Sequence, residues 1–488
     1  MGGWRSPFFI GIDVGTQGTR MVCLDRKGQL IEKAETAFPL SPSSRRQQDP
    51  EMWWQVIQQT LAQLIQKLQA EISIDAIKAL SVTSTSGTMI PLDQNNRPLH
   101  HAIMYSDDRQ KEEGRGLQHL FSNKERTYKG FNASSGLSKI VWFSNRYPEK
   151  TEKIRRWVHA ADFVIGRLTG RWGMTDQTNS LKTGYDLAKD EWPKDIFSAL
   201  SLDLSWFPDV LTSGTPIGAV SAEVAQATGI SESTIVTAGM TDGCASQVSS
   251  GAVCPGRWNT TIGTTLVIKG VTENPISDPS RVLYNHRHPE GYWMPGGASN
   301  IGADWVTSDF PGENLDDLNE KAARLIPTNH MAYPLKQKGE RFPFMSPEAR
   351  GFVPAHVSAI ERYTACMEGV AYIERYAYER IESLSGETVR AVYTAGGGSS
   401  STTWLNIRSQ VLDKPVYKMK YATGAVGAAI LAASRTLFSS LSVAAQEMIT
   451  EDAVVEPDEG LVKAYDERYH TFIDRLASKG YIRQGTVT

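Results

Sequence analysis

Short apolar runs separated by glycine-rich turns open the chain. The run from Phe8 to Val14 ends in a Gly-Thr-Gln-Gly turn, and a second run from Arg20 to Leu24 leads away from it. Two short runs joined by such a turn predict a β-hairpin. After another turn at residues 25–28, the segment from Gln29 to Phe38 predicts a third strand. The chain is therefore expected to begin with a three-stranded meander.

The pattern then changes to a helical spacing. Asp49 is a candidate N-cap, Pro50 suits the first helical position and Glu51 suits the first turn. The apolar positions that follow recur every three or four residues, at Trp53, Ile57, Leu61, Leu64, Ile65 and Leu68. A buried strand is expected at 76–82, running into the polar loop 83–88. A meander followed by a helix and a strand is not the strictly alternating order of a nucleotide-binding βαβ fold.

Further along, a polar stretch precedes a strand that ends in an acid. Residues 160–211 are expected to be loop-rich and to build a pocket wall. The strand 233–238 leads to Gly239-Met-Thr-Asp-Gly243, and residues 245–250 are expected to be helical. Two interpretations of Asp242 stay open, an ordinary helix N-cap or a catalytic carboxylate. We favour the catalytic role because flanking glycines display a side chain rather than bury it.

The second half of the chain repeats the first. Residues 256–269 again predict a strand, a Gly-Thr turn and a strand, which indicates duplicated domains facing one cleft. Later, a strand at 390–394 is followed by Ala395-Gly-Gly-Gly-Ser399 and a helix over 401–412. Such a loop before a helix suits a flat ring or a phosphate lying on the backbone. The small residues of 424–433 predict a helix that packs against a neighbour instead of touching ligand.

Composition narrows the class of protein. A chain of 488 residues is too long for one core, and two or three domains are expected. The formal net charge of −3 argues against nucleic acid as a partner. No apolar run is long enough to span a membrane. The scattered cysteines, without a CxxC pair, indicate reduced thiols and a cytoplasmic location.

The first hairpin carries candidate chemistry. Gly15 and Gly18 let the backbone approach a bound group and turn N–H groups toward an anion. Asp13 stands at the end of the first strand. Because Mg²⁺ takes one or two carboxylates together with phosphate oxygens, this stretch suggests a Mg²⁺–nucleotide site. An ordinary glycine turn with a surface Asp is the alternative from this stretch alone.

Taken together, these stretches resemble the FGGY family of carbohydrate kinases, within the actin–hexokinase–Hsp70 superfamily. The resemblance implies an α/β fold of two duplicated actin-like (ribonuclease H-like) ATPase domains flanking a central cleft. Six motifs occur in the family's order along nearly the whole chain. They are Gly11–Thr16 with Arg20, Ser138–Phe143, Gly239–Asp242, Gly263–Thr265, the segments Gly339–Pro343 and Pro347–Gly351, and Ala395–Ser399 with Trp404 and Asn406.

The resemblance also implies roles. Residues 1–253 would form the sugar-binding, catalytic domain and residues 254–488 the adenosine-binding domain, with ATP and Mg²⁺ as cofactors. Asp242 would be the catalytic base, Asp13 and Asp242 would hold the metal, and the sugar would contact Asp13, Ser86, Asp107 and Asp242. The residues that would bind ATP are Gly15, Thr16, Gly18, Thr19, Arg20, Gly263, Thr264, Gly396, Gly397, Gly398, Trp404 and Asn406.

The substrate is expected to be a ketopentose phosphorylated on O5. Xylulose and glycerol kinases usually carry a Met-His pair where this chain has Met89-Ile90, and a Trp where it has Tyr105. The loop 85–88 and the segments 179–185 and 291–300 are similar to the D-ribulose kinase branch. The resemblance therefore implies D-ribulose, with D-xylulose as the alternative.

The same sequence bears on other classes of protein. A P-loop kinase is excluded because no Gly-Lys-Ser or Gly-Lys-Thr follows a glycine loop. No G-x-G-x-x-G opens a helix, which argues against a Rossmann dehydrogenase. A non-catalytic sugar sensor and an actin-like filament ATPase stay as alternatives. The expected partners are ATP and a sugar, without nucleic acid or membrane, in a monomer or a homodimer.

Overall fold

The computed structural model describes residues 6–122 and 128–483, and these divide into two compact units. The first unit runs to Ser249 and also takes in His286–Gly291 and Thr423–Ile449. The second unit contains Ser250–Asn285, Tyr292–Ala422 and the chain from Thr450 onward. A single division between residues 253 and 254 was expected, so the two short segments that join the first unit are a correction. The roles expected for the two domains stay predictions.

The strands are short and are distributed along the whole described chain. In chain order they are β1 (Phe8–Val14), β2 (Gly18–Asp25), β3 (Leu30–Ala37), β4 (Gln47–Gln48), β5 (Ile77–Ser84), β6 (Met89–Leu92), β7 (Ala102–Ile103), β8 (Arg156–His159), β9 (Met174–Asp176), β10 (Asp209–Leu211), β11 (Pro216–Ala219), β12 (Ile235–Thr241), β13 (Arg257–Ile262), β14 (Leu266–Gly270), β15 (Tyr284–Arg287), β16 (Trp293–Ala298), β17 (Ala391–Ala395), β18 (Val416–Met419) and β19 (Glu451–Val455).

The α-helices vary from a single turn to a long central helix in the second unit. They are α1 (Pro50–Leu68), α2 (Lys111–Ser122), α3 (Gly136–Arg146), α4 (Pro148–Thr151), α5 (Ala160–Thr169), α6 (Gln177–Ser180), α7 (Lys194–Ala199), α8 (Ala222–Thr228), α9 (Asp242–Ser250), α10 (Asp304–Asp309), α11 (Leu315–Ala322), α12 (Ala359–Ser385), α13 (Thr402–Leu412), α14 (Gly424–Ser434), α15 (Leu441–Met448) and α16 (Glu459–Ser478). Short 3₁₀ turns lie at Pro42–Arg45, Ile74–Ala76, Leu181–Thr183, Leu204–Trp206 and Gly397–Ser400.

The main sheet of the first unit has the strand order β11-β12-β5-β1-β2-β3 within the described residues. The strands β1, β2 and β3 pair antiparallel, which confirms the predicted meander. The strands β1, β5 and β12 run parallel, so their carboxyl ends meet at one edge. Helix α1 also lies where the sequence predicts it: the side chain of Asp49 caps its first turn, and its apolar positions are buried. Local patterns therefore specified this half of the unit well.

Helix α14 packs against the main sheet of the first unit, as its small residues predict. A Cβ placed on Gly11 of β1 would lie 1.7 Å from the carbonyl oxygen of Ala425. A Cβ on Gly427 would lie 1.9 Å from the carbonyl oxygen of Ala245 in α9. Backbone atoms therefore touch on both sides of the helix, and a side chain at either glycine would force the elements apart.

The sheet of the second unit repeats the arrangement around β1. Its strand order is β15-β16-β14-β13-β17-β18-β19 in the described chain. Strand β13 pairs antiparallel with β14 and parallel with β17, as β1 does with β2 and β5. This confirms the repeated hairpin expected from residues 256–269. The core of this unit lies around α12, which contributes 12 of its 27 residues to the buried apolar cluster.

Two expected elements differ from the structure. Residues 160–169 form α5, because eight of its ten residues are buried in the core, so the prediction of loop there is wrong. Strand β12 continues through Gly239 to Thr241, and Asp242 begins α9 directly. Gly239 is therefore part of a strand and not of a bend: a Cβ there would lie 2.0 Å from the carbonyl oxygen of Val82.

In the described part of the chain, none of the helices combines the length and the apolar character that crossing a membrane requires.

Candidate active site

The turn between β1 and β2 borders a cavity in the first unit. The amide of Gly15 donates a hydrogen bond to the carbonyl of Gly18 over 3.0 Å and closes the turn. The cavity has a volume of about 440 Å³. It is lined by Asp13, Gly15, Thr16, Gln17, Gly18, Thr19, Arg20, Glu35, Thr36 and Ala37. The structure thus gathers Asp13, Gly15, Thr16 and Arg20 of the first predicted phosphate motif around one concave space, whereas Gly11, Ile12 and Val14 do not line it.

The side chains in this cavity differ in their surroundings. Thr19 is fully buried, and its hydroxyl has no hydrogen-bond partner among the described residues. Arg20 is exposed and lies 3.3 Å from the carboxylate of Glu35 on β3. The carbonyl of Thr16 accepts a hydrogen bond from the side-chain amide of Gln48, and this bond helps to fix the turn. The guanidinium of Arg20 and the unpaired hydroxyl of Thr19 at the cavity wall are suited to an anionic ligand.

Asp13 and Asp242 meet at the carboxyl edge of the sheet. Asp13 pairs with Thr83 of β5, and Thr83 pairs with Met240 of β12. Asp242 follows two residues later, as the first residue of α9. Burial, and then the negative charge of Asp242, raise the pKa of Asp13 to about 7, while Arg20 opposes the shift. Two carboxylates that repel each other in this way are a good binding site for a divalent cation.

The donor set is consistent with Mg²⁺. In residues 6–122 and 128–483 there is no cluster of three or more His, Cys, Asp or Glu side chains that could enclose a metal ion. Mg²⁺ does not need one, since it keeps waters and shares substrate phosphates beside one or two carboxylates. Asp13 and Asp242 supply such a pair. The residues present therefore fit the ion that the sequence implied.

The start of α14 was not predicted as part of the site. A Cβ placed on Gly424 would lie 2.9 Å from a carboxylate oxygen of Asp13. The side chain of Thr423 accepts a hydrogen bond from the amide of Val426. The amides of Gly424 and Ala425, at the start of the helix, have no acceptor within the helix itself. The small residues had suggested packing alone, and the packing is confirmed. The signal for the site was the Thr-Gly pair at the N-terminus of the helix.

The candidate sugar loops lie together in the first unit. The hydroxyl of Thr88 bonds with the hydroxyl of Thr85 at 2.9 Å and accepts a bond from the amide of Tyr105 at 3.1 Å. A Cβ on Gly87 would lie 2.2 Å from the carbonyl oxygen of Ser134. Ser86 has a buried hydroxyl with no hydrogen-bond partner in the described chain. Loops from three parts of the sequence thus meet beside an unsatisfied hydroxyl.

Asp107 is held firmly by its neighbours. Arg109 bonds to both carboxylate oxygens, with the closest contact at 2.6 Å, and Gln110 donates to one of them at 3.0 Å. Burial acts to raise the pKa of Asp107, but the hydrogen bonds from Arg109 and Gln110 prevail and lower it. The guanidinium of Arg109 also stacks 4.6 Å from the ring centre of Trp142. A contact between Asp107 and a sugar stays a prediction.

Lys139 is a functional candidate that was not among the site residues expected from the sequence. Its ammonium group is fully buried and donates to the carbonyl of Ala133 at 2.5 Å. Burial lowers its pKa to about 7, partly offset by the charge of Asp107. The Ser138–Phe143 motif was the signal that could have found it. A buried, weakly compensated amine beside the sugar loops is typical of a binding site.

In the second unit, two predicted nucleotide segments lie side by side. Thr261 of β13 pairs with Ala395 of β17, so the turn 263–265 and the loop 395–399 leave the sheet at the same edge. Gly396 has φ +83°, and a Cβ there would lie 2.6 Å from the carbonyl oxygen of Ile262. Gly397, in contrast, is exposed, with no atom of the described residues within 4 Å of a Cβ placed on it.

The remaining predicted adenosine residues have different environments. Trp404 is 3% exposed, and its indole N–H donates to the carbonyl of Met367 at 3.1 Å. This side chain is part of the core, and its contact with a nucleotide stays a prediction. Asn406 is partly exposed and accepts a hydrogen bond from Gln410. Gly263 and Gly398 border the same edge of the sheet, and Thr264 is exposed in the turn.

Comparison with known families identifies the two halves of the chain. The N-terminal domain of the FGGY family of carbohydrate kinases matches residues 8–249, and the C-terminal domain of that family matches residues 258–435. The chain belongs to the FGGY family of carbohydrate kinases. The family expected from the motifs is thereby confirmed, and the protein is an ATP-dependent sugar kinase.

Relatives of this FGGY kinase extend over almost its full length. A xylulose kinase of Bacillus subtilis is 26% identical over 479 residues, covering 94% of both chains. A gluconokinase of the same organism is 24% identical and covers 98% of this chain and 97% of its own. The crystal structure of a xyloylose kinase from Brucella ovis superposes with a TM-score of 0.88 at 22% identity, covering 97% of this chain and 99% of its own. The two-domain α/β fold of actin-like ATPases is therefore confirmed.

The relatives do not support a special kinship with D-ribulose kinases. Further curated relatives are also named xylulose kinase. Ile90 and Tyr105 had argued against D-xylulose because they depart from the residues usual in xylulose kinases. The chain nevertheless has several relatives that are named xylulose kinase. The substrate expected first from the sequence is not the one that the relatives favour.

Proposed function

We propose that this FGGY kinase transfers the γ-phosphate of ATP to the terminal hydroxyl of a ketopentose, with D-xylulose as the favoured acceptor and D-ribulose as the second candidate. The observation that carries the proposal is the meeting of Asp13 and Asp242 at one sheet edge, beside the cavity of the first hairpin. The names of the relatives support D-xylulose. The loop 85–88 supports D-ribulose.

The chemistry divides between the two acids. Asp242 is exposed and would accept the proton of the sugar hydroxyl as its oxygen bonds to the γ-phosphorus and the bond to ADP breaks. Asp13 would hold Mg²⁺, which when bound neutralises charge on the phosphate oxygens. The amides of the turn between β1 and β2, other than that of Gly15, which closes the turn, would orient the transferred phosphate. Positioning and charge neutralisation account for most of the catalysis of such a reaction.

A substrate panel tests the proposal. Initial rates of ADP release would be measured with D-xylulose, D-ribulose, L-ribulose, gluconate and glycerol at fixed Mg-ATP. We expect the highest kcat/KM with D-xylulose. A higher value with D-ribulose would restore the first interpretation of the sugar loops, and gluconate as the best substrate would contradict a ketopentose kinase.

The same assay separates the other classes of protein. ADP release that is independent of sugar would favour an actin-like ATPase. Sugar binding without turnover would favour a sensor. Either result would overturn the proposed reaction while leaving the fold unchanged.

A further inference from the structure

A buried polar network lies behind the end of β12. Asp176 closes β9 and is almost fully buried. One of its carboxylate oxygens accepts from the amide of Thr178 at 2.7 Å, from its hydroxyl at 2.6 Å and from the amide of Asn179 at 3.1 Å. The other oxygen accepts from the side-chain amide of Asn179 at 2.6 Å. Both oxygens of Asp176 therefore act as acceptors.

This arrangement fixes the direction of the next hydrogen bond. A threonine hydroxyl has one proton, and that of Thr178 is donated to Asp176. The oxygen of Thr178 is left to accept, and it accepts the backbone N–H of Thr241 at 2.8 Å. Thr241 is the last residue of β12 and precedes Asp242. The network thus ends on the N–H of the residue that precedes the candidate base.

The end of β12 needs this support because its pairing is irregular. The register between β12 and β5 shifts between Thr237 and Met240. Beyond the shift, the hydroxyl of Thr83 donates to the carbonyl of Met240 at 2.8 Å. Thr178 accepts the N–H of Thr241, on the other side of the same peptide group. Two threonine side chains thus hold both polar groups of the Met240–Thr241 peptide, one residue before Asp242.

We propose that Thr178, oriented by Asp176, is a positioning residue that sets the direction in which Asp242 presents its carboxylate. This inference rests on the proposed role of Asp242 as the base. Loss of the bond leaves the buried N–H of Thr241 without its acceptor and lets the start of α9 shift. Because a displacement of about 1 Å can reduce turnover about 10²-fold, the effect should appear in kcat.

The test compares isosteric variants at two threonines. Thr178→Val removes the acceptor at nearly constant volume, and Thr178→Ser retains it. Thr228→Val is the matched control: Thr228 is also buried in the first unit, donates to the carbonyl of Val224 at 2.7 Å and accepts from the amide of Ile230 at 3.4 Å. Each variant is assayed for kcat, for KM of sugar and of Mg-ATP, and for thermal unfolding.

We expect Thr178→Val to lower kcat about 10–100-fold with both KM values within about threefold of wild type. Thr178→Ser should restore kcat to within about threefold, and Thr228→Val should leave it unchanged despite a similar loss of thermal stability. If Thr178→Val does not fold, Thr178→Ala, which adds no methyl group against its neighbours, replaces it in the comparison with Thr178→Ser.

Other outcomes overturn the inference. A folded Thr178→Val or Thr178→Ala enzyme with wild-type kcat would show that the bond does not position the base. An equal loss of kcat in Thr228→Val would show a general effect of stability. Asp242→Ala separates the inference from the proposed function. If wild type turns over sugar and Asp242→Ala does not, each of these two results refutes the role of Thr178 and leaves the role of Asp242 intact. If Asp242→Ala turns over normally, the proposed function of that residue fails first, and the inference with it.

Discussion

Asp13 and Asp242 share one sheet edge but not one environment. Asp13 is partly buried between β2, β5 and the start of α14, and burial together with the charge of Asp242 raises its pKa. Asp242 is exposed at the first turn of α9. An acid that is buried and repelled gains most from a bound cation, whereas an exposed acid can reach a substrate hydroxyl. The difference in environment supports the division of roles.

Substitution of the base should therefore affect turnover and not nucleotide binding. For Asp242→Asn we expect kcat to fall about 10²–10⁴-fold, because a positioned base contributes on that scale. KM for Mg-ATP should change by less than about threefold if Asp13 is the principal ligand of the metal. Asp316→Asn, which alters an exposed acid in the first turn of α11, is the matched control and should behave like wild type. Normal turnover in Asp242→Asn would contradict the assignment.

Glu368 in the second unit gives a prediction about stability. It is fully buried, and one carboxylate oxygen accepts from the amide of Thr328 and the hydroxyl of Tyr465, at 2.9 Å each. The other oxygen has no partner in the described chain. Burial raises its pKa from 4.5 to about 8, although these hydrogen bonds and the charge of Arg468 oppose the shift. The folded state therefore binds a proton that the unfolded state releases above its lower pKa.

The free energy of unfolding should thus fall as the pH rises from about 4.5 to about 8, by up to about 1.4 kcal/mol per pH unit. Glu368→Gln mimics the protonated acid, so it should remove this part of the pH dependence and be more stable than wild type above pH 8. Chemical denaturation of both proteins from pH 5 to 9 measures the difference. Parallel stability curves for the two proteins would show that Glu368 does not hold the proton.

At the scale of elements, the strands and helices with regular spacing were predictable. The meander β1–β3, helix α1 and the second hairpin follow local patterns of apolar residues and turns. The polar residues 175–183 suggested loop, but side chains such as Asp176 and Thr178 satisfy one another inside the unit. Polar residues that are buried through mutual hydrogen bonds cannot be told from exposed ones in a single sequence.

The end of β12 shows that close contacts between backbones are also hard to predict from the sequence. The sequence placed the end of the strand at residue 238 because Gly239 is typical of a bend. In the structure Gly239 is needed because β5 approaches it closely, and the strand continues. Asp242 remains a candidate site residue despite this error, because the end of the strand at the sheet edge, and not a turn, determines its position. Which side chains hold that edge could be learned only from the fold.

The glycines of two helices should respond oppositely to alanine. Gly427 of α14 contacts the backbone of α9, so Gly427→Ala should destabilise the protein by about 1–3 kcal/mol through overpacking. It should also lower kcat, because α9 begins with Asp242. Gly116 of α2 has open space around it, so Gly116→Ala should stabilise by about 0.5–1 kcal/mol through helix propensity and leave kcat unchanged. Thermal unfolding with steady-state kinetics distinguishes these outcomes, and a stabilised Gly427→Ala would contradict the packing described.

At the scale of the whole molecule, the candidate sugar and adenosine residues belong to different units. The sugar loops around Ser86 are in the first unit, and the loop containing Gly397 is in the second. Both positions tolerate a small change without cost to folding. Ser86→Ala removes a buried hydroxyl that has no partner among residues 6–122 and 128–483, and Gly397→Ala adds a methyl group that none of these residues would contact. Neither variant should lower the melting temperature, so any kinetic effect reports on ligand binding.

We therefore expect the two substitutions to separate the substrates. Ser86→Ala should raise KM for the ketopentose about 5–30-fold, the cost of one lost hydrogen bond of about 1–2 kcal/mol, with KM for Mg-ATP unchanged. Gly397→Ala should raise KM for Mg-ATP and leave KM for the sugar unchanged, because the added methyl group occupies space that the backbone otherwise offers to the adenosine. In the double variant the two effects should add as free energies, since the two residues belong to different units. If Gly397→Ala raised the sugar KM instead, the adenosine assignment of the loop 395–399 would be wrong, even though its strand–glycine–helix geometry agrees with the sequence.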